Sequence, residues 1–227
     1  MTHAVTFDLD GTLVDTPRAI VETFAAVFAS AGVAPVDGAA IRATIGLPLE
    51  RAFADLLAVA ADDRLVTGCV AEYQRLFREL ILPRAATLVF PGVAAGLATL
   101  ADRGLALAVA TSKVHASAHA LLVAAGLREH FSVVVGADEV TRPKPHPEMG
   151  RVVMQRLGVL PQRTMMVGDT THDLLMAREA GMRSVAVTYG VHSSRELQAM
   201  DPTWIADTFD DVVTCVQRGF AGTCVPS

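Results

Sequence analysis

Four short apolar runs, at 105–110, 132–135, 164–167 and 184–187, each stand between stretches of helical periodicity. They do not alternate with polar residues, so both of their faces must be covered. Strands that take turns with helices in this way build a parallel sheet between two helical layers. A fifth run at 4–9 and a short one at 204–206 fit the same sheet, and helical patterns at 93–103, 113–125, 146–157, 171–180, 193–200 and 209–217 supply the layers. The expected class is α/β, a Rossmann-like parallel sheet covered by helices on both faces.

The first strand is set apart from the others. Thr16-Pro17 reads as an N-cap followed by a first-turn proline. A helical pattern over 18–31 stops at Gly32. Further helical patterns run over 39–44, 48–60 and 62–80 until Pro83 breaks the rhythm, and nothing between 16 and 82 reads as a strand. We expect an all-helical cap at 16–82 inserted into a core made of 1–15 and 83–227. Asp15 is expected to cap or hydrogen-bond at the start of the linker, and the tail 219–227 to fray.

Ligands of open α/β sheets sit beyond the carboxyl ends of the strands. The residues that come just after the strands here are Asp8, Asp10, Gly11 and Thr12; Thr111, Ser112 and Lys113; Gly136, Asp138 and, further on, Lys144; and Gly168, Asp169, Thr170 and Asp173. Four carboxylates, Asp8, Asp10, Asp169 and Asp173, thus meet at one edge. Carboxylates this close raise one another's pKa unless a cation offsets them. Hard oxygen donors with positions left for water describe a Mg²⁺ site, whereas zinc asks for His or Cys. Lys144, the Thr111 hydroxyl and the helix N-termini complete a site suited to a phosphoryl group. Asp8 and Asp10 start roughly 6–7 Å apart on the same side of an extended chain. One could attack phosphorus while the other serves the departing oxygen, and Gly11 lets the chain turn sharply just after them.

Composition excludes other classes. The formal net charge is −5 and aromatics make up 5%, which argues against nucleic acid or an anionic membrane as partner. No apolar run approaches the ~18 residues of a membrane span. Cys69, Cys215 and Cys224 are few and scattered, as reduced thiols in a cytoplasmic protein would be. Asp8 comes before a signal-peptide apolar stretch could form.

DLDGTL (8–13), TSK (111–113), RPKP (142–145) and GDTTHD (168–173) occur in the order of the four motifs of the haloacid dehalogenase-like hydrolase superfamily, which the chain resembles over nearly its whole length. With AREAG (177–181) and the helical insert, it resembles the phosphoglycolate phosphatase-type branch. The resemblance implies that Asp8 is a nucleophile forming an aspartyl-phosphate, and that Asp10 is the acid and then the base. It implies that Thr111 and the Ser112 amide hold phosphoryl oxygens and that Lys144 bridges Asp8 and phosphate. Mg²⁺ would be held by Asp8, the Asp10 carbonyl oxygen and Asp169, with Asp173 supporting.

Asp10 speaks for phosphoryl chemistry over dehalogenation, because halide needs no proton. It does not separate a phosphatase from a phosphomutase. The absence of lysine from 16–82 excludes a Schiff-base phosphonatase. A carboxylate-bearing substrate such as phosphoglycolate wants a cation. Of the cap arginines Arg18, Arg42, Arg51, Arg64 and Arg75, Arg42 and Arg51 flank TIGLPL (44–49), whose Gly46 and Leu47 suit a loop over the site. His172 is expected at the gate or the surface. The expected partner is a small phosphorylated metabolite, phosphoglycolate first, then pyrophosphate, a sugar phosphate or a nucleoside monophosphate. The expected protein is a monomer or homodimer, and the contrasting class is a non-catalytic metabolite sensor.

Overall fold

The computed structural model describes residues 2–221. The chain enters through β1 (Ala4–Phe7), runs through α1 (Pro17–Ser30), α2 (Gly38–Ala43), α3 (Leu49–Leu57) and α4 (Arg64–Leu76), and returns to the sheet side by α5 (Val93–Asp102). It continues through β2 (Ala106–Ala110), α6 (His115–Ala124), β3 (Val133–Val135), α7 (Glu148–Leu157), β4 (Thr164–Gly168), α8 (Thr171–Glu179), β5 (Arg183–Val187), α9 (Ser194–Gln198), β6 (Trp204–Ala206) and α10 (Phe209–Phe220).

All six strands are parallel, in the order β3-β2-β1-β4-β5-β6. β1 is central, with Phe7 opposite Val109 on one side and Val167 on the other. The order reverses at β1, and the crevice there is where such sheets bind ligands. The two-residue period sorts the strand side chains. Val5, Phe7, Val109, Val167 and Val185 join the core that contains Leu97 of α5 and Phe209 of α10. Ala108, Ala110 and Met166 face the other way, onto Met149 and Val153 of α7 and Met176 of α8. Both faces are therefore buried, as the unbroken apolar runs require. Among the described residues no helix is long and apolar enough to cross a membrane.

α1 to α4 close over an aromatic cluster. Phe24 stacks on Phe53 at 4.3 Å, Tyr73 lies edge-on to Phe24 at 5.1 Å, and Phe77 packs on Tyr73 at 6.0 Å. Each fully buried ring contributes about 1.5–3 kcal/mol of transfer free energy. Past α4 the helix widens into one π turn, Phe77–Ile81, and then tightens into a 3₁₀ stretch, Leu82–Leu88, with Pro83 in its first turn. The two connections to the sheet pair with each other. Val14 bridges Val89, Asp15 N donates to Leu88 O at 2.7 Å, and Phe90 N donates to Leu13 O at 3.1 Å.

Two local expectations change. Thr16 stands at the N-terminus of α1, but its hydroxyl does not cap the helix; it donates to the Asp10 carboxylate instead. The C-terminal helix continues through Phe220, past the expected start of fraying. There the Phe220 ring packs under the Arg183 guanidinium at 4.8 Å and beside His3 at 4.6 Å. Residues 222–227 of the expected tail, Cys224 among them, lie outside the described residues.

Candidate active site

Asp8 comes directly after the last residue of β1, and its amide still donates to Val167 O at 2.9 Å. Gly11 (φ +84°) turns the chain immediately afterwards, and its missing side chain matters twice. A β-carbon there would also stand 2.2 Å from the Asp169 carboxylate. Asp169, at the end of β4, is fully buried. One of its oxygens accepts from Thr12 Oγ1 at 2.8 Å and the other from Val191 N at 2.8 Å.

Asp173 lies in the first turn of α8, where Thr170 and Asp173 cap each other reciprocally. Its carboxylate accepts from Thr170 Oγ1 at 2.6 Å and from Lys144 Nζ at 2.6 Å. The same Lys144 ammonium donates to Asp8 Oδ1 at 2.8 Å. Carboxylate oxygens of Asp8, Asp169 and Asp173 lie within 4.8 Å of one another, all buried.

The electrostatics result from that burial. Desolvation pushes Asp8 up to about 7, against the pull of Lys144 and with a further push from Asp173. Burial, then the Asp8 and Asp173 charges, hold Asp169 well above the usual carboxylate range. Burial alone would lower Lys144, but Asp173 and Asp8 more than reverse it and keep the ammonium charged. Four carboxylates share this edge with the ammonium groups of Lys144 and Lys113.

Asp10 faces the cavity. Thr16 holds one of its oxygens, and Lys113 Nζ stands 3.3 Å from the other, itself 4.2 Å from the centre of the Phe77 ring. Thr111, at the end of β2, is 1% exposed; Ser112 beside it donates its hydroxyl to Gly46 O at 2.6 Å. Asp8, Asp10, Thr111, Ser112, Gly46 and Leu47 all line one cavity of about 270 Å³ between the sheet edge and α1–α4. Lys144, Asp169 and Asp173 sit behind Asp8. Gly46 (φ +100°) rests against the first turn of α8, where a β-carbon on it would stand 3.3 Å from His172 Nδ1; His172 is half-buried beside this loop and is not part of the cavity lining.

Arg42 and Arg51 do not join this cavity. Arg42 Nη2 donates to Gly190 O at 2.8 Å, across to the loop after β5. Arg51 pairs with Asp55 at 2.8 Å, one helical turn on, with a side chain 66% exposed. Their nearness to TIGLPL in the chain misleads, because a helical residue points according to its phase.

Other residues at the site were not expected. Tyr73 and Gln74 of α4, and Phe77 and Arg78 of the π turn after it, line the cavity. Gly190, with Thr12 from the expected set after the first strand, shapes the surroundings of Asp169: a β-carbon on Gly190 would stand 2.3 Å from its carboxylate. For Thr12 the DLDGTL motif was a signal; for Gly190 the sequence carries none.

Comparison with known proteins accords with this geometry. The sequence model of a family described as "Haloacid dehalogenase-like hydrolase" matches residues 5–187. The chain is 56% identical over 213 residues to "Probable phosphatase IndB" of Dickeya dadantii (strain 3937), covering 94% of this chain and 93% of that protein. It is 35% identical over 214 residues to "Phosphoglycolate phosphatase" of Rhodospirillum rubrum, covering 92% and 88%. Among solved structures, a hydrolase, haloacid dehalogenase-like family protein, from Streptococcus pneumoniae superposes with a TM-score of 0.80 at 27% identity, over 95% of this chain and 99% of that one.

Proposed function

The chain belongs to the haloacid dehalogenase-like hydrolase family, and from that premise we propose that it is a magnesium-dependent phosphatase that hydrolyses a small phosphate monoester through an aspartyl-phosphate. The observation that carries this reading is the buried triad Asp8, Asp169 and Asp173 gathered around Lys144.

The donor set fits the metal. Three buried carboxylates within 4.8 Å offer hard oxygen ligands and no nitrogen or sulfur. Burial leaves Asp8 and Asp169 short of compensating positive charge. Asp8, the Asp10 carbonyl oxygen and Asp169 would hold the ion, with Asp173 supporting. Bound there, it supplies charge neutralisation for the phosphoryl oxygens.

In the first step an Asp8 carboxylate oxygen bonds to phosphorus and the ester P–O bond breaks. Asp10 gives its proton to the departing alkoxide. In the second step Asp10 takes a proton from water, whose oxygen attacks the aspartyl-phosphate and releases phosphate and the Asp8 carboxylate. Thr111 Oγ1 and the Ser112 amide hold phosphoryl oxygens. Lys144 keeps the negative charges of Asp8 and phosphate from repelling each other. Residues 16–82 act as the cap and 1–15 with 83–227 as the core; closure excludes bulk water. The enzyme works in the cytoplasm as a monomer or homodimer.

The sequence reading puts phosphoglycolate first and a relative is named "Phosphoglycolate phosphatase", but the phosphoryl machinery above does not itself choose the alcohol. Pyrophosphate, sugar phosphates and nucleoside monophosphates suit the same phosphoryl machinery, and a phosphomutase would also keep Asp10. The test is release of p-nitrophenol from p-nitrophenyl phosphate by purified protein with Mg²⁺ and with EDTA. Turnover that needs the metal and disappears in Asp8→Asn supports the reading. No turnover, or an Asp8→Asn variant as active as the parent, defeats it and leaves the sensor class.

A further inference from the structure

Resting on the phosphatase reading, we propose that the alcohol half of the substrate is larger than glycolate and presents a flat apolar or aromatic face to the cap. The cavity above Asp8 and Asp10 has a volume of about 270 Å³. That approaches the ~300 Å³ at which pockets begin to enclose whole drug-sized ligands, and the phosphoryl group occupies only the end lined by Asp8, Asp10, Thr111 and Ser112.

Its cap-side wall is apolar. Leu47, Leu49 and Leu82 are partly exposed there, over the mutually packed and buried rings of Phe24, Tyr73 and Phe77. A flat apolar group gains from leaving water against such a surface, and rings add edge and face contacts of their own.

The charges on the cap side do not suit a second anion. Arg78 and Glu50, one charge of each sign, both line the cavity and both are exposed to solvent. Lys113 is already engaged by Asp10 and covered by Phe77. Arg42 and Arg51 are held elsewhere. The carboxylate of phosphoglycolate, or the second phosphate of pyrophosphate, would lose water against this wall with only the solvent-exposed Arg78, on a cavity it shares with Glu50, to answer its charge, which is costly. Gln74 offers a neutral amide, suited to one uncharged polar edge on an otherwise apolar ligand.

The experiment measures kcat/KM of the full-length protein with Mg²⁺ on benzyl phosphate, ethyl phosphate and phosphoglycolate, all of which release alkyl alcohols and so test recognition more than leaving-group strength. Benzyl phosphate should exceed each of the other two at least ~10-fold, mostly through KM. Leu47→Arg, which puts a cation on the half-buried cavity wall, should narrow the benzyl-to-glycolate ratio at least ~5-fold. Phosphoglycolate equal to or better than benzyl phosphate overturns the proposal, as does a ratio indifferent to Leu47→Arg. A binding arm separates this proposal from the phosphatase reading. If no phosphate ester turns over, that reading fails. Calorimetry with benzylphosphonate and phosphonoacetate then still decides: at least ~10-fold tighter binding of benzylphosphonate supports the apolar cavity, and equal binding overturns it.

Discussion

Gly190 lies so close to Asp169 that a β-carbon built on it would stand 2.3 Å from the carboxylate, well inside any real contact. The same loop donates Val191 N to Asp169, and the Gly190 carbonyl accepts from Arg42 of the cap. One glycine thus touches both the proposed ion-binding carboxylate and the cap.

Gly190→Ala should displace the loop or Asp169 and lose the Val191 hydrogen bond. Overpacking of this kind costs about 1–3 kcal/mol. The expected result is a lower Tm and loss of the Tm increase that Mg²⁺ gives the parent protein, read by calorimetry. An unchanged Mg²⁺ response would mean the metal is held elsewhere.

Arg42→Ala removes the charge-assisted hydrogen bond between cap and core. KM should rise about three- to tenfold with kcat little changed, because closure is weakened while the phosphoryl site is intact; one such bond contributes about 1 kcal/mol where water competes. Steady-state kinetics on any accepted ester checks it. A fall in kcat with constant KM would place Arg42 in the chemistry instead.

Asp8→Asn should lower turnover at least ~10³-fold, since no oxygen nucleophile of the same kind replaces it. Rapid-quench trapping of a phosphorylated protein should succeed with the parent and fail with the variant.

Asp10→Asn should cost alkyl phosphates about 10²–10⁴-fold, and p-nitrophenyl phosphate at least ~10-fold less than that, because nitrophenolate departs with little protonation. Equal losses on both substrates would count against Asp10 as the proton donor.

Metal and proton compete for the same carboxylates. Asp8 and Asp169 have raised pKa values in the folded protein, so the folded state holds protons that the unfolded chain has already lost. In metal-free protein this contribution stabilises the fold at low pH and is lost as pH rises through the folded value, about 7 for Asp8. Mg²⁺ binds the ionised form, so the Tm gain over EDTA should be larger at about pH 8 than at about pH 5.5. A gain independent of pH would show that these groups do not hold the ion.

The sheet and its carboxylates were legible because both depend on local pattern: unbroken apolar runs, and polar residues at the same end of each. Asp8, Asp10, Thr111 and Asp169 are where strand ends put them, and Lys144 reaches Asp8 from the long loop after β3. The cap wall was not legible. The π turn Phe77–Ile81 adds a residue to one helical turn and shifts the phase of the residues after it, so a steady 3.6 period does not bring out Arg78 as a cavity residue. Arg42 reaches a carbonyl 148 positions away, which no window of sequence contains. Thr16 reads as a helix cap, but a buried carboxylate is the stronger acceptor for its hydroxyl.

The paired connections at Val14 and Val89 carry a further meaning. The chain departs and comes back at neighbouring points, so whatever is spliced between them leaves the six-stranded register undisturbed. Recognition can then drift by exchange of the insert while bond-breaking stays fixed, and a lineage built this way can acquire new metabolites without relearning how to cut phosphorus from oxygen.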